Sequence, residues 1–303
     1  MKLTIVLGLA MSIFTAAVPA SAALPVRHVE LGDTNLAYIE RGRGEPIVLV
    51  HGGLQDFRVW EPHMATFAKR YRVIAYSRRN HFPNSVSANG WSDTAADQHA
   101  DDLYRLITAL HLGPVHLVAH SSGAFAALVF AAQHPELVRS LAVNEPPAGS
   151  LLAGVSNGPE IVAVFNARLA PSRAAFKAGD LASAVRLFTD AISGPGVFET
   201  RSPAVRAMLM DNAVAHQADA LSLKPRPIFT CKMAGQITAP TLISNGDRSP
   251  PFFHAITEQL ARCVPHNDRV SFHASHGVPL ESKAAYDRAV LRFIASAQGA
   301  GRR

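Results

Sequence analysis

Short apolar runs alternate with amphipathic segments along the first half of the chain. Runs rich in Val, Ile and Leu are typical of strands that are buried on both faces of a parallel sheet. The pattern predicts four such strands: Pro46–Val50, Tyr71–Tyr76, Val115–Ala119 and Val138–Val143. The segments between them have helical spacing, which predicts three crossover helices: Trp60–Lys69, Thr94–His111 and Ser122–Gln133.

The strand-like runs stop after Asn144 and resume at Pro240. The intervening residues have helical periods only, which predicts an inserted helical cap over 148–235. The pattern then continues with a strand, a helix, a strand and a final helix: Pro240–Ser244, Phe252–Arg262, Arg269–His273 and Ser282–Ser296. We therefore expect an α/β fold, with a mostly parallel twisted sheet, helices on both faces, and a core made of 23–147 and 236–303.

The first 22 residues have the layout of a secretory signal peptide. Lys2 precedes an apolar stretch that ends at Val18, and small residues follow up to Ala22. We expect cleavage after Ala22 and export of the mature chain to the periplasm or the medium. No later segment has enough uninterrupted apolar residues to cross a membrane.

Composition narrows the classes of partner. Hydrophobic residues make up 48% of the chain and charged residues 17%, which favours a packed globular enzyme. Loss of Lys2 leaves 28 basic and 23 acidic residues, and the net charge of +5 is scattered without a basic run. We expect a small-molecule substrate and no nucleic acid. No residues have metal-ligand spacing and no glycine-rich phosphate loop occurs, so we expect no cofactor.

Two cysteines, Cys231 and Cys263, lie 32 positions apart. In an exported protein they form either one disulfide or two buried thiols, and the sequence leaves both alternatives open. C-x-x-C spacing is absent, so the pair does not indicate a redox or zinc motif. The sequence gives no indication of the oligomeric state.

The strongest chemical signal is the pentapeptide Ala119-His120-Ser121-Ser122-Gly123. It stands between a predicted strand and a helix of small residues, where a sharp turn exposes a serine as a nucleophile. Such a turn needs small neighbours two positions before and after the serine, as Ala119 and Gly123 are. Ser122 would begin the helix, so its backbone N–H is a candidate oxyanion donor.

Other parts of the chain supply candidate partners for Ser121. His51-Gly52-Gly53 follows the first predicted strand, and Gly53 or Leu54 is the candidate for the second oxyanion N–H. Downstream, His276 follows the last predicted strand and precedes the last helix, which favours it as general base over His273 and His266.

On these motifs the sequence resembles the α/β-hydrolase superfamily over residues 25 to 297. The resemblance implies a serine-nucleophile, esterase-like member with a helical cap. It also implies a catalytic acid, which in much of the family lies at the position of Ser249 in this chain. A hydroxyl cannot offset an imidazolium charge, which leaves Glu145 and Asp247 as the two candidates.

The loop Ser77–His81 is interpreted mainly as scaffold, with Arg79 or His81 at the rim of the pocket. A serine at the nucleophile position argues against dehalogenases and epoxide hydrolases, which resemble each other in using an aspartate there. We therefore expect an exported carboxylesterase-like enzyme that cleaves an ester or lactone of a small, apolar substrate through an acyl-enzyme on Ser121. A C–C bond hydrolase and a noncatalytic ligand-binding homologue are the alternatives.

Overall fold

The computed structural model describes residues 24–85, 96–222 and 227–300, so the predicted signal peptide lies outside the described residues. Eight strands form one sheet in the order β1-β2-β4-β3-β5-β6-β7-β8. Their bounds are β1 Arg27–Glu30, β2 Asn35–Arg41, β3 Pro46–Val50, β4 Arg72–Tyr76, β5 Val115–His120, β6 Val138–Asn144, β7 Thr241–Gly246 and β8 Asn267–Phe272.

The sheet is parallel except at one edge, where β1 pairs with β2 and β2 pairs with β4 in antiparallel fashion. The mostly parallel sheet expected from the apolar runs is confirmed. In the parallel part, Val50 of β3 pairs with Ala119 of β5, which pairs with Val143 of β6. The carboxyl ends of these three central strands therefore meet at the same edge of the sheet, where ligands bind in open α/β folds.

Helices cover both faces of the sheet, as the predicted fold class requires. The helices outside the segment between β6 and β7 are α1 Glu61–Phe67, α2 Ala96–Ala109, α3 Ser121–Gln133, α10 Pro251–Cys263, α11 Val278–Glu281 and α12 Lys283–Ala300. One apolar cluster joins α2, α3 and α10 to Val48 and Val50 of β3. A second cluster joins α1 and α12 to Ile47 and Leu49 of the same strand. Because alternate strand residues point to opposite faces, the two clusters lie on opposite sides of the sheet.

The regular elements that the structure describes between β6 and β7 are helices. They are α4 Gly158–Ala178, α5 Leu181–Ser193, α6 Val197–Thr200, α7 Pro203–Asp211, α8 Ala213–Leu221 and α9 Cys231–Ala234. The division into core and cap stays a prediction. Cys231 of α9 and Cys263 of α10 form a disulfide, so the first of the two alternatives for the cysteines holds. Within the described ranges, no helix combines the length and the apolar character that a membrane span requires.

Candidate active site

Ser121 occupies the sharp turn between β5 and α3. It is the first residue of the helix and has a φ of +53°. This left-handed conformation is rare for a residue with a β-carbon and costs about 1 to 3 kcal/mol, so it persists only where the surrounding structure holds it. The turn lifts the side chain off the strand end and presents its Oγ to the loops beyond the sheet edge.

Gly123 explains how close α3 lies to the neighbouring strand. A β-carbon built at this position would lie 2.2 Å from the carbonyl oxygen of His51 and 2.9 Å from that of Val50. Both distances are well inside van der Waals contact with backbone atoms, which cannot move aside as a flexible side chain can. The glycine thus lets the start of α3 sit directly against the loop that follows β3.

His276 lies between Ser121 and Glu145 and contacts both. Its Nε2 is 2.9 Å from Oγ of Ser121, and its Nδ1 is 2.5 Å from Oε2 of Glu145. A carboxylate only accepts hydrogen bonds, so the proton of the neutral imidazole sits on Nδ1. Nε2 therefore carries the lone pair that faces the serine hydroxyl, an arrangement in which the ring can accept the proton of that hydroxyl.

Glu145 comes directly after β6 and is fully buried. Its backbone, like that of Ser121, is left-handed, with a φ of +48°. The second carboxylate oxygen, Oε1, accepts a hydrogen bond of 2.8 Å from the backbone N–H of Gly246. Both oxygens are thus held, and the long side chain spans the distance from the end of β6 to the imidazole.

Asp247, the other candidate acid, does not contact His276. Its backbone N–H donates to the carbonyl of Phe272, and its side chain lies at the surface over the end of β8. There its carboxylate accepts hydrogen bonds from Nδ1 of His273 (2.9 Å) and from the backbone of Ala274 (3.1 Å). The hydrogen bond with His273 lowers the pKa of Asp247. Of the two alternatives left open by the sequence, the structure brings only Glu145 to the imidazole.

His120, beside the serine, links the loops that carry the other groups. Its Nε2 donates to the backbone carbonyl of His276 (2.9 Å), and its Nδ1 lies 3.1 Å from Oε1 of Gln55. The same oxygen of Gln55 accepts the backbone N–H of Gly52. Burial lowers the pKa of His120 to about 3, so the ring stays neutral at physiological pH. No role was predicted for this histidine from the sequence.

Phe253, near the start of α10, lies face to face with the imidazole of His276. The ring centroids are 4.2 Å apart and the planes differ by 21°. Its neighbour Phe252 stacks instead on Phe165, with centroids 4.0 Å apart. An aromatic face against an imidazole fixes the ring plane and favours the positively charged form when it appears.

The candidate oxyanion residues line two cavities that meet at Ser121 and His276. A smaller cavity, about 50 Å³, is bounded by Gly53 and Leu54 among others. A larger one, about 230 Å³, is bounded by Gly53 and Ser122 among others. Ser122 lies in the first turn of α3, where backbone N–H groups have no partner within the helix. The backbone N–H groups of Ser122 and of Gly53 or Leu54 therefore stay the predicted oxyanion donors.

The loop after β4 differs from the expectation for it. Arg79 does not lie at the pocket rim: its guanidinium donates to Asp102 (2.7 and 2.9 Å) and Asp33 (2.8 Å), which ties this loop to α2. His81 is buried beneath the Gly52-Gly53 loop, with Nε2 2.9 Å from the carbonyl of Gly53. Arg78 lines the larger cavity instead. The sequence analysis missed Arg78, although alternation of side chains beyond a strand places only one of two adjacent arginines on the site side.

Comparisons with known proteins concern the family and the fold. A family model described as alpha/beta hydrolase fold matches residues 45–283. The chain is 34% identical over 106 residues to the (E)-2-((N-methylformamido)methylene)succinate hydrolase of Acinetobacter baylyi, which covers 35% of this chain and 39% of that protein. It is 35% identical over 115 residues to the 2-(acetamidomethylene)succinate hydrolase of Mesorhizobium japonicum, which covers 38% and 40%. The match thus spans about two fifths of the length of each of these relatives.

A solved structure extends the likeness over nearly the whole chain. The enol-lactonase from Burkholderia xenovorans superposes with a TM-score of 0.71 at 19% sequence identity. The superposition covers 89% of this chain and 100% of the enol-lactonase. At this level of identity the likeness concerns the fold.

Proposed function

The chain belongs to the α/β-hydrolase fold family, and on this premise we propose that it is a serine hydrolase that cleaves a carboxylic ester or lactone of a small substrate. The observation that carries the proposal is the chain of contacts from Ser121 Oγ to His276 Nε2 and from His276 Nδ1 to Glu145 Oε2, at 2.9 and 2.5 Å. A serine, an imidazole and a buried carboxylate in this order form the arrangement that activates a hydroxyl for acyl transfer.

In the first half of the reaction, Ser121 Oγ attacks the carbonyl carbon of the substrate and its proton passes to Nε2 of His276. The imidazole becomes a cation, and the buried carboxylate of Glu145 offsets this charge while it holds the proton on Nδ1. The carbonyl oxygen becomes an oxyanion. Backbone N–H groups of Ser122 and of Gly53 or Leu54 are the donors that stabilise it, each worth about 3 kcal/mol in related chemistry.

The tetrahedral intermediate then collapses and the bond to the leaving oxygen breaks. The proton on Nε2 of His276 moves to that oxygen, and an acyl ester on Ser121 remains. In the second half, His276 removes a proton from water, the hydroxide attacks the acyl carbon, and the proton returns to Ser121. One water is consumed, and a carboxylic acid and an alcohol are released, or a hydroxy acid when the substrate is a lactone.

The lining of the larger cavity supports a substrate with an apolar body. Its apolar side chains come from the core helices and from the helices between β6 and β7: Phe125, Phe165, Leu169, Phe188, Ile192 and Phe253. Burial of an apolar group against such side chains contributes about 25 cal/mol for each Å² removed from water. The names of the two curated relatives, both hydrolases of substituted succinates, support hydrolysis as the reaction class.

The experiment is a hydrolysis screen of 4-nitrophenyl esters and lactones of graded length, with the Ser121→Ala variant as control. Turnover by the wild type and none above background by the variant supports the proposal. Turnover that survives in Ser121→Ala, or the absence of turnover together with no labelling of the wild type by a fluorophosphonate, contradicts it.

We also propose that the protein is exported, as its first 22 residues predict. The disulfide between Cys231 and Cys263 supports this, because disulfides persist in oxidising compartments. Expression of the full chain in a bacterium that exports proteins and N-terminal sequencing of the periplasmic product tests the proposal. We expect Ala23 as the first residue of the periplasmic protein. A protein that stays in the cytoplasmic fraction with residues 1–22 still attached contradicts the proposal.

A further inference from the structure

Arg78 is a buried cation beside the candidate nucleophile. Only 1% of its surface is exposed, and it lines the larger cavity together with Ser121 and Ser122. Its Nη2 donates to the backbone carbonyl of Gly52 and to Oγ of Ser122, both at 3.1 Å. Its other two nitrogens, Nε and Nη1, have no hydrogen-bond partner in the part of the chain that the structure describes.

The neighbouring arginine shows what a buried guanidinium in this fold requires. Arg79, also buried, donates to the carboxylates of Asp102 and Asp33, which satisfy it on both sides. Arg78 has no such acid bonded to Nε or Nη1. A guanidinium stays charged at any physiological pH and only donates, so unpartnered N–H groups on it are costly when buried. They call for an acceptor that bears negative charge.

The described lining of the cavity contains two further charged residues besides Arg78. Asp219 and Arg173 also line it, so two of the three charged residues in the described lining are positive. Asp219 interacts electrostatically with Arg78, but it does not hydrogen-bond to Nε or Nη1. Its side chain is partly exposed, so its charge is better solvated than that of Arg78.

His99 adds a neutral donor to the same side of the cavity. It is buried, and neither of its ring nitrogens has a hydrogen-bond partner among the described residues. Burial, and then the positive charge of Arg78, hold the pKa of His99 well below its usual value. The neutral ring carries one N–H, so His99 and Arg78, which both line this cavity, each have a buried donor without a partner among the described residues.

We infer that the larger cavity takes a substrate whose apolar body carries a carboxylate, and that this carboxylate accepts hydrogen bonds from the unpartnered N–H groups of Arg78. The inference rests on the proposed function, because it places the reacting carbonyl at Ser121. Arg78 contacts Ser122, the residue next to the nucleophile, so the carboxylate and the reacting carbonyl occupy the same cavity. The substrate is therefore an ester or lactone that is also an acid.

Two matched pairs of esters test this without knowledge of the natural substrate. In the first pair, mono-4-nitrophenyl adipate is compared with methyl 4-nitrophenyl adipate, in which the free carboxylate is replaced by a methyl ester. The charge of this pair therefore lies in the acyl half. In the second pair, 4-carboxyphenyl butyrate is compared with 4-carbamoylphenyl butyrate, so the charge lies in the leaving alcohol. Because hydrogen bonds to a charged group are strong, we expect the carboxylate member of at least one pair to have a kcat/KM about 10- to 100-fold higher than that of its neutral partner. Equal or faster cleavage of the neutral member in both pairs overturns the inference.

Variants assign the preference to a residue. Arg78→Gln should bring the ratio of kcat/KM between the preferred ester and its neutral partner close to one. A loss of kcat/KM that affects both esters equally cancels in this ratio. Arg78→Lys should restore part of the ratio, because a lysine keeps the charge but not the fork of donors. Arg173→Gln is the matched control and should keep most of the ratio. The assignment to Arg78 is overturned if the ratio falls to about one in Arg173→Gln and stays high in Arg78→Gln.

Binding measurements separate failure of this inference from failure of the proposed function. Adipate should bind to Ser121→Ala about tenfold more tightly than adipamide in a calorimetric titration, since binding needs the cavity but not the nucleophile. If no ester is cleaved and adipate still binds better, the proposed function fails and the carboxylate site stands. If esters are cleaved and adipate shows no advantage over adipamide, the carboxylate site fails and the hydrolase stands.

Discussion

Oε2 of Glu145 lies 2.5 Å from Nδ1 of His276, although the two residues are 131 positions apart in the chain. The contact forms because Glu145 follows β6 and His276 follows β8, and both loops lie at the carboxyl edge of the sheet. The carboxylate that contacts His276 therefore follows β6, the strand next to β5, whereas Asp247 follows β7.

Glu145→Gln should lower kcat by about 10³- to 10⁴-fold with little change in substrate binding. The amide has nearly the same shape, but it presents a donor to Nδ1 or leaves the imidazolium charge without compensation. Steady-state kinetics on the best ester of the screen measures the effect. Asp247→Asn is the matched control and should retain at least about half of the activity, because its contacts are at the surface. The reverse ranking of the two variants would assign the acid to Asp247.

Gly123→Ala should destabilise the fold by about 2 to 4 kcal/mol, since the added methyl group meets the backbone carbonyl of His51. Urea denaturation measures the free energy of unfolding. Gly154→Ala serves as control, because a β-carbon built there has no atom within 4 Å apart from those of the glycine and its two chain neighbours. Its free energy of unfolding should stay within about 0.5 kcal/mol of that of the wild type. Similar stabilities of the two variants would mean that α3 does not pack against the loop after β3 as described.

Buried histidines should make the protein lose stability in mild acid. Burial lowers the pKa of His81 and of His120 to about 3, whereas an unfolded histidine titrates near 6.5. Between these values the unfolded chain binds more protons than the folded chain, so the free energy of unfolding falls as the pH falls. Two such groups contribute up to about 2.7 kcal/mol per pH unit.

Urea denaturation at pH 7, 6 and 5 measures this dependence, with the loss beginning as the pH passes below about 6.5. A His120→Gln variant should show a shallower pH dependence, because one of the groups no longer titrates. A wild-type stability that is unchanged between pH 7 and pH 5 is incompatible with neutral, buried rings at these positions.

Phe253→Leu should reduce kcat by about 3- to 10-fold, because leucine fills similar space but lacks the aromatic face that lies against the imidazole of His276. Phe252→Leu removes the adjacent ring, which stacks on Phe165 away from the imidazole. Kinetics on both variants with a neutral ester distinguish the two positions. Equal losses of kcat would show that the stacking on His276 makes no specific contribution.

The centre of the parallel sheet could be predicted because β3, β4, β5 and β6 are short apolar runs that are buried on both faces. Pro46–Val50 has the predicted bounds, and the other predicted strands and helices of the core differ by a few residues at their ends. β1 and β2 were not predicted as strands. They lie at the antiparallel edge of the sheet, and in β1 only one of four residues is buried, so no continuous apolar run marks it.

Two features of the site depend on tertiary structure and therefore could not be predicted from the sequence. The choice between Glu145 and Asp247 depends on how far each strand end projects toward His276, and on the left-handed backbone at Glu145. The positions of Arg78 and Arg79 depend on which of them meets Asp102 on α2. Local patterns identified Ser121 and His276 as candidates because each follows a predicted strand in a small-residue turn.

The most direct test of the account is to trap the covalent intermediate. The wild type is mixed with a 4-nitrophenyl ester, quenched in acid within milliseconds, and digested for mass spectrometry. The account predicts one acyl group per chain, on the peptide that contains Ser121, and none in Ser121→Ala. Turnover without any acylated peptide, or an acyl group on a different residue, would contradict it.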